Sequence, residues 1–178
     1  MRRVLVAGVG NVFLGDDGFG CAVAQRLTEL SLPSGVHVED YGIRGVHLAY
    51  TLLEGYETLV LVDAAPRGEA PGTLFVLEPD FEHAETLERG ESGFMLDAHG
   101  MDPEMVIGIL RDLGGTVPRV RIVGCEPLDV RERMGLSAPV ADAVGRAVLL
   151  VQQLVAAECA RDAAPPPAPL QPEQEVVK

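Results

Sequence analysis

The stretch RVLVAGVGNVFLGDDGFG, Arg3 to Gly20, decides how the rest of the chain is read. An apolar run rich in branched side chains stops at Gly8 and Gly10, and two adjacent carboxylates, Asp16 and Asp17, arrive where a helix should begin. Such a run reads as a buried strand, and a glycine-punctuated turn into an amphipathic segment reads as the first strand-to-helix connection of an α/β fold. A dinucleotide loop would have the same outline. Its G-x-G-x-x-G pattern fails here, because Phe13 stands at the third glycine position of GVGNVF and blocks close packing of helix on strand. The lysine of a phosphate loop is missing too. Two carboxylates at a helix start repel a pyrophosphate, whereas an N-cap aspartate satisfies free amides and suits the helix dipole. Asp16 is therefore expected to cap the first helix, and Asp17 is open to two readings, a first-turn helix residue or a ligand for a cation.

Outward from this loop the pattern repeats. Apolar runs at 3–8, 36–41, 58–64 and 119–125 read as buried parallel strands, with 73–77 as a fifth. Helical spacing appears in 17–31 (Phe19, Val23, Leu27, Leu30), 45–54 (Val46, Leu48, Leu52, Leu53), 103–113 (Met105, Ile109, Leu113) and 137–160 (Val140, Val144, Val148, Leu149, Val151). Strands alternating with helices imply parallel crossovers. The expected fold is α/β: a single domain over residues 1–160, with a twisted, mostly parallel sheet of about five strands and helices on both faces. The acidic connection 78–102 is too long for a routine loop, and the proline-rich segment 163–178 is expected to be disordered.

Composition narrows the partners. Among 178 residues, 27 are acidic and 14 basic, a formal net charge of −13, which repels nucleic acid and anionic membrane. Neither is expected as a partner. The apolar fraction of 47% is that of a globular protein, and a chain this long buries roughly 70% of its unfolded surface. Cys21, Cys125 and Cys159 have no metal-ligand spacing and read as buried thiols. No run approaches the ~18 uninterrupted apolar residues of a membrane span, and MRRVLVAGVGN reads as a strand rather than a signal peptide. A cytoplasmic protein with reduced thiols is expected.

Candidate chemistry gathers at strand ends. Asp63 closes the most apolar strand in LVLVDAAP, where ligands of open α/β sheets bind, although a loop-capping role fits it equally; Asp40 has a similar place in VEDYG. A divalent metal would join such carboxylates to an imidazole. His37 lies within a strand, His47 on a helical segment and His83 in the acidic connection. His99, in LDAHGMDP just ahead of a helix start, is the histidine placed to fold back over the sheet edge, with Asp97 available to orient it. A solvated loop histidine is the alternative. No G-x-S-x-G elbow or H-E-x-x-H pair is present, and Ser31, Ser34, Ser92 and Ser137 have no nucleophile setting.

Taken in order, GVGNVFLGDDGFG, VEDYGIRGVHLAYTLL, LVLVDAAPRGEAPGT, LDAHG and VRIVGCEPLDVRERMGLSAPV closely resemble the nickel-iron hydrogenase maturation endopeptidases over about residues 1–155. The resemblance implies an aspartyl-type endopeptidase that removes a C-terminal extension from the hydrogenase large-subunit precursor once nickel is in place. It implies nickel recognition by two carboxylates and a histidine, which fall on Asp17, Asp63 and His99, as metal-recognition and catalytic residues alike. Asp16 then fits as the cap beside the ligand, and Asp40 and Arg44 as cleft-lining residues. The nickel is expected to come with the precursor rather than to reside in the enzyme, and a monomer is expected. A maturation factor that binds nickel or precursor without cleaving it, and a nucleotide-dependent enzyme, are the alternatives.

Overall fold

The computed structural model describes residues 3–79 and 102–161. Five strands form one sheet: β1 (Val4–Val9), β2 (Val36–Gly42), β3 (Thr58–Ala64), β4 (Leu74–Leu77) and β5 (Arg119–Cys125), in the order β2-β1-β3-β5-β4. The first three and β5 are mutually parallel, while β4 runs antiparallel along β5 at the edge. The three central strands are buried almost throughout, whereas β2 and β4, at the edges, are mostly half-buried. That gradient explains why the three central runs are the most apolar in the sequence.

Because side chains alternate along a strand, β1 sends Val4 and Val6 to one face and Leu5, Ala7 and Val9 to the other. On the first face lie α1 (Phe19–Thr28) and α4 (Ala138–Ala160), which contribute Phe19, Val23, Leu27, Val140, Val151 and Val155 to one core. On the second lie α2 (Gly45–Leu52) and α3 (Pro103–Asp112), with Leu48, Leu52, Val106 and Leu110 in the other core. Helices thus cover both faces, as expected.

Several expectations shift in detail. Of the stripe Met105, Ile109 and Leu113 in α3 only Ile109 packs, half-buried, against the core: Met105 and Leu113 are 48% and 44% exposed, and Val106, Ile107 and Leu110 form the buried face instead. Both triplets have helical spacing, and only the packing against α2 and the sheet chooses between them. Leu30, Val46, Leu53 and Leu149 likewise lie on exposed surface. Helix α1 is shorter than the periodicity of 17–31 suggests, since Gly15–Gly18 form a 3₁₀ turn ahead of it. The start of α3 is as read from the sequence: Asp102 Oδ1 accepts from the Glu104 amide at 2.9 Å, with Pro103 in the first turn.

Among the described residues α4 alone is long and apolar enough to cross a membrane, with a mean hydropathy of 1.4. Its buried stripe belongs to the core, however, and Glu158 near its end is 1% exposed. There Glu158 Oε2 accepts from Arg119 at 2.6 Å and from Thr58 Oγ1 at 3.3 Å, while Oε1 lies 3.3 Å from Arg121. Burial pushes this carboxyl up, but the Arg119 bond and the neighbouring guanidinium charges outweigh it and hold it below its usual value. The apolar helix is thereby pinned to the starting ends of β3 and β5, away from the strand ends that carry the candidate site.

A carboxylate pair at the switch point of the sheet

The chain leaves β1 towards β2 on one side and reaches β3 on the other, so the order of the sheet reverses between β1 and β3. Connections diverge at such a point and leave a crevice beyond the strand ends. Asp63 lies one residue from the end of β3, and Asp17 lies in the 3₁₀ turn that follows β1 and packs on β3.

Glycine is what lets this turn sit so close. A side chain at Gly20 would place its Cβ 2.1 Å from the Val62 carbonyl and 2.3 Å from that of Val9, so the first turn of α1 rests directly on the ends of β1 and β3. Gly10 has φ of +124°, and a Cβ there would fall 1.8 Å from the Asp17 carbonyl oxygen. Both contacts are with backbone that cannot yield. With the loop so folded, Asp17 Oδ2 accepts the Asn11 amide at 2.6 Å, which fixes the carboxylate over the strand end. Asn11 Oδ1 in turn accepts the Phe13 amide at 3.0 Å.

The two neighbouring acids part company here. Asp16 is not the cap of α1: the cap position is Gly18, and no side chain bonds there. Instead Asp16 is fully buried and turned towards the segment between β5 and α4. Its Oδ1 accepts the Ser137 amide at 2.6 Å, and its Oδ2 accepts Ser137 Oγ at 2.8 Å and the amides of Leu128 at 2.8 Å and Asp129 at 3.0 Å. Main-chain bonds reinforce the clamp, with the Gly15 amide donating to Arg133 at 2.7 Å and the Arg133 amide to Phe13 at 2.9 Å. Burial raises the Asp16 carboxyl, but this set of donors outweighs it and holds the group below its ordinary value. Ser137 stands at the N-cap position of α4, yet its hydroxyl serves Asp16 rather than its own helix. The ion partner Arg133, at 3.9 Å, adds a distant positive charge.

Asp63 is the opposite case. It is 5% exposed, and burial pushes its carboxyl well above the usual range; the charge of Asp17 pushes it further, and a bond from the Ala64 amide only partly offsets them. The same neighbourhood holds the Cys21 thiol up at about 12, through burial first and then Asp40, Asp17 and Asp63. Asp40 therefore borders the crevice, where its carboxylate accepts from the Gly42 amide and from Gln25, both at 3.0 Å. Arg44 is held beside it, with Nε donating to the Tyr41 carbonyl at 3.0 Å and Nη2 to the Asp40 carbonyl.

Of the expected triad, Asp17 and Asp63 come together, while His99 lies outside the described residues, as do Asp97 and His83. Among the described residues no group of three or more His, Cys, Asp or Glu gathers to hold a metal ion. The pair is nonetheless chemically suited to one. Two like charges, one of them buried, favour either a shared proton or a cation with further donors. His47 belongs to α2 and stacks edge-on against Tyr41, and His37 Nδ1 meets the Tyr56 hydroxyl at 2.6 Å, so both have structural partners. Sequence reading missed the partners of Asp16, since the bonded residues lie 112 to 121 positions away. The helical span 137–160 begins at Ser137 but carried no sign of the long-range bond.

Comparison with known proteins is consistent with this geometry. The sequence pattern of the HycI hydrogenase maturation proteases matches residues 21–154. A candidate hydrogenase maturation protease of Methanocaldococcus jannaschii is 31% identical over 154 residues, covering 84% of this chain and 94% of that one. Among solved structures, the hydrogenase maturating endopeptidase HybD from E. coli superposes with a TM-score of 0.70 at 25% identity, over 92% of this chain and 94% of the other. The NiFe hydrogenase maturation protease HycI from Thermococcus kodakarensis gives 0.67 at 25% identity, over 87% and 93% of the two chains.

Proposed function

Since the chain belongs to the hydrogenase maturation protease family, and is thereby a peptidase, we propose that it removes the C-terminal extension of a nickel-iron hydrogenase large-subunit precursor that already carries nickel. The observation that carries this reading is the buried Asp63 carboxyl, raised by burial and by Asp17 beside it at the switch point of the sheet. A carboxyl so placed loses its proton to solvent readily only when a cation takes the proton's place. Nickel in the precursor would supply that cation, held by Asp17, Asp63 and His99, and its charge would be available to polarise a nearby carbonyl. The enzyme would then engage its substrate only when the metal is present.

In this reading Asp17, oriented by the Asn11 amide, and Asp63 receive the precursor's nickel together with His99. Held there, the precursor would present its scissile peptide at the strand ends that carry Asp17 and Asp63. A water attacks the peptide carbonyl and passes a proton to a carboxylate of the site, which returns it to the departing amine, so that one acid and one amine terminus result. The Asp16 clamp keeps the turn carrying Asp17 from moving when the charge changes.

The test is to incubate nickel-loaded and metal-free precursor separately with the purified protein and to weigh the products by mass spectrometry. Release of the extension from the nickel-loaded form alone is expected. Equal release from both would refute metal-gated recognition, and binding without release would assign the chain to the non-cleaving alternative.

A further inference from the structure

Beside the crevice, the chain turns from the end of β2 into α2 and leaves a groove of about 540 Å³. It is lined by Ile43, Arg44, Val46, His47, Tyr50 and Met105. Ile43, Val46, Tyr50 and Met105 are 63%, 53%, 55% and 48% exposed, a density of large apolar surface unusual for a chain of net charge −13. None of these side chains faces the core, which is why the helical spacing of Val46 and Met105 misled the sequence reading. The groove also departs from the rest of the molecule in sign. Among the described residues no carboxylate lines it, and Arg44 is held in place by the carbonyls of Tyr41 and Asp40.

The turn that lines the groove is tied through the backbone to the loop that carries Asp17. The Gly10 amide donates to the Gly42 carbonyl at 3.0 Å, joining the loop that carries Asp17 to the strand end that carries Ile43 and Arg44. Asp40, which borders the crevice, is bonded to Gly42 on the same turn.

We infer that this groove is the docking site for a segment of the precursor polypeptide, apolar in the main and carrying an acidic group that meets Arg44. The inference rests on the peptidase reading given above and adds the class of sequence that the enzyme selects. Apolar side chains of that segment cover Ile43, Val46, Tyr50 and Met105, and the fixed guanidinium sets its register by pairing with the acid. Tyrosine and arginine, both present in the lining as Tyr50 and Arg44, are residue types that often carry much of the binding energy of an interface. Metal recognition and chain recognition are thus adjacent but separate. The first answers whether nickel is present, the second whether the polypeptide is the right one.

The test uses the full-length protein and nickel-loaded precursor, with precursor binding measured by biolayer interferometry and cleavage by mass spectrometry. The variants are Val46→Asp, Tyr50→Asp and Arg44→Glu, with Leu149→Asp on the exposed side of α4 as the control. All four positions lie at the surface, and thermal melting confirms folding. Each groove variant should weaken precursor binding and raise KM about tenfold, with kcat within about twofold of wild type for Val46→Asp and Tyr50→Asp, while the control changes neither. Unchanged binding in all three groove variants would overturn the groove assignment, even if the wild type cleaves normally. A wild type that binds the precursor but does not cleave it would count against the peptidase reading instead, and the binding data would still decide the groove. A wild-type dimer dissolved by Tyr50→Asp would give the groove to a second copy and overturn the inference.

Discussion

Replacing Asp16 with alanine removes one buried carboxylate and four hydrogen bonds at once. Hydrogen bonds to a charged group are worth about 1.5–3 kcal/mol each, but they share one acceptor and do not add. The Leu128 and Asp129 amides are only part-buried and regain water, whereas the Ser137 amide is buried and loses its acceptor outright. An unpaired buried donor alone costs about 1–3 kcal/mol. The loss should total about 4 kcal/mol, a large share of the roughly 5–15 kcal/mol that holds a domain together. In a chain of this size that lowers Tm by about 10 °C.

Urea denaturation of wild type, Asp16→Ala, Ser137→Ala and the double variant measures this directly. Ser137→Ala removes only the hydroxyl bond and should cost about 1 kcal/mol, and the double variant should fall well short of the sum. Because the folded Asp16 carboxyl is held below its unfolded value, its stabilisation is complete above the unfolded value of roughly 4 and is lost as the pH falls through the lower folded one. The gap between wild type and Asp16→Ala should therefore be widest above about pH 5 and close in stronger acid. An Asp16→Ala variant within about 1 kcal/mol of wild type at pH 7 would refute the clamp.

Asp63 should behave with the reverse sign. Its folded value lies above the unfolded one, so its contribution is fully present below roughly pH 4 and is lost as the pH rises through the folded value. Asp63→Asn should accordingly be more stable than wild type to urea at pH 8, with no gain at pH 4; a loss of stability at pH 8 would show that the carboxyl is not strained. Gly20→Ala should cost about 3 kcal/mol or leave the protein insoluble, because its Cβ would fall 2.1 Å and 2.3 Å from two strand carbonyls. A Gly20→Ala protein that melts like the wild type would mean that α1 does not press on the strand ends as described.

The sheet was legible because its strands are apolar runs bounded by glycine and by acids, a local signal that survives folding. The place of Asp63 at the end of β3 was legible for the same reason, whereas its role was not, since a loop cap would leave the same trace in the sequence. Asp17 was left open by its residues alone and singled out only by the family resemblance, and its separation from Asp16 was not legible. Adjacent residues of the same type differ here only in which distant backbone they meet, and the segment Leu128–Ser137 comes close to Asp16 through the ordering of the whole sheet. Helix faces were harder still. In α3 the stripe Met105–Ile109–Leu113 and the stripe Val106–Ile107–Leu110 are both apolar, so periodicity marks the helix and leaves its rotation to tertiary packing. The face left outside by that rotation, Met105 with the exposed residues of α2, is the groove assigned to the precursor.

The carboxylate pair is the centre of the functional reading, and one measurement tests it most directly: the mass of a nickel-loaded large-subunit precursor after incubation with wild type, Asp17→Ala or Asp63→Ala enzyme, each confirmed as folded by its melting curve. Loss of the C-terminal extension with the wild type and an intact precursor with both variants is the expected result. Complete processing by either folded variant would contradict it.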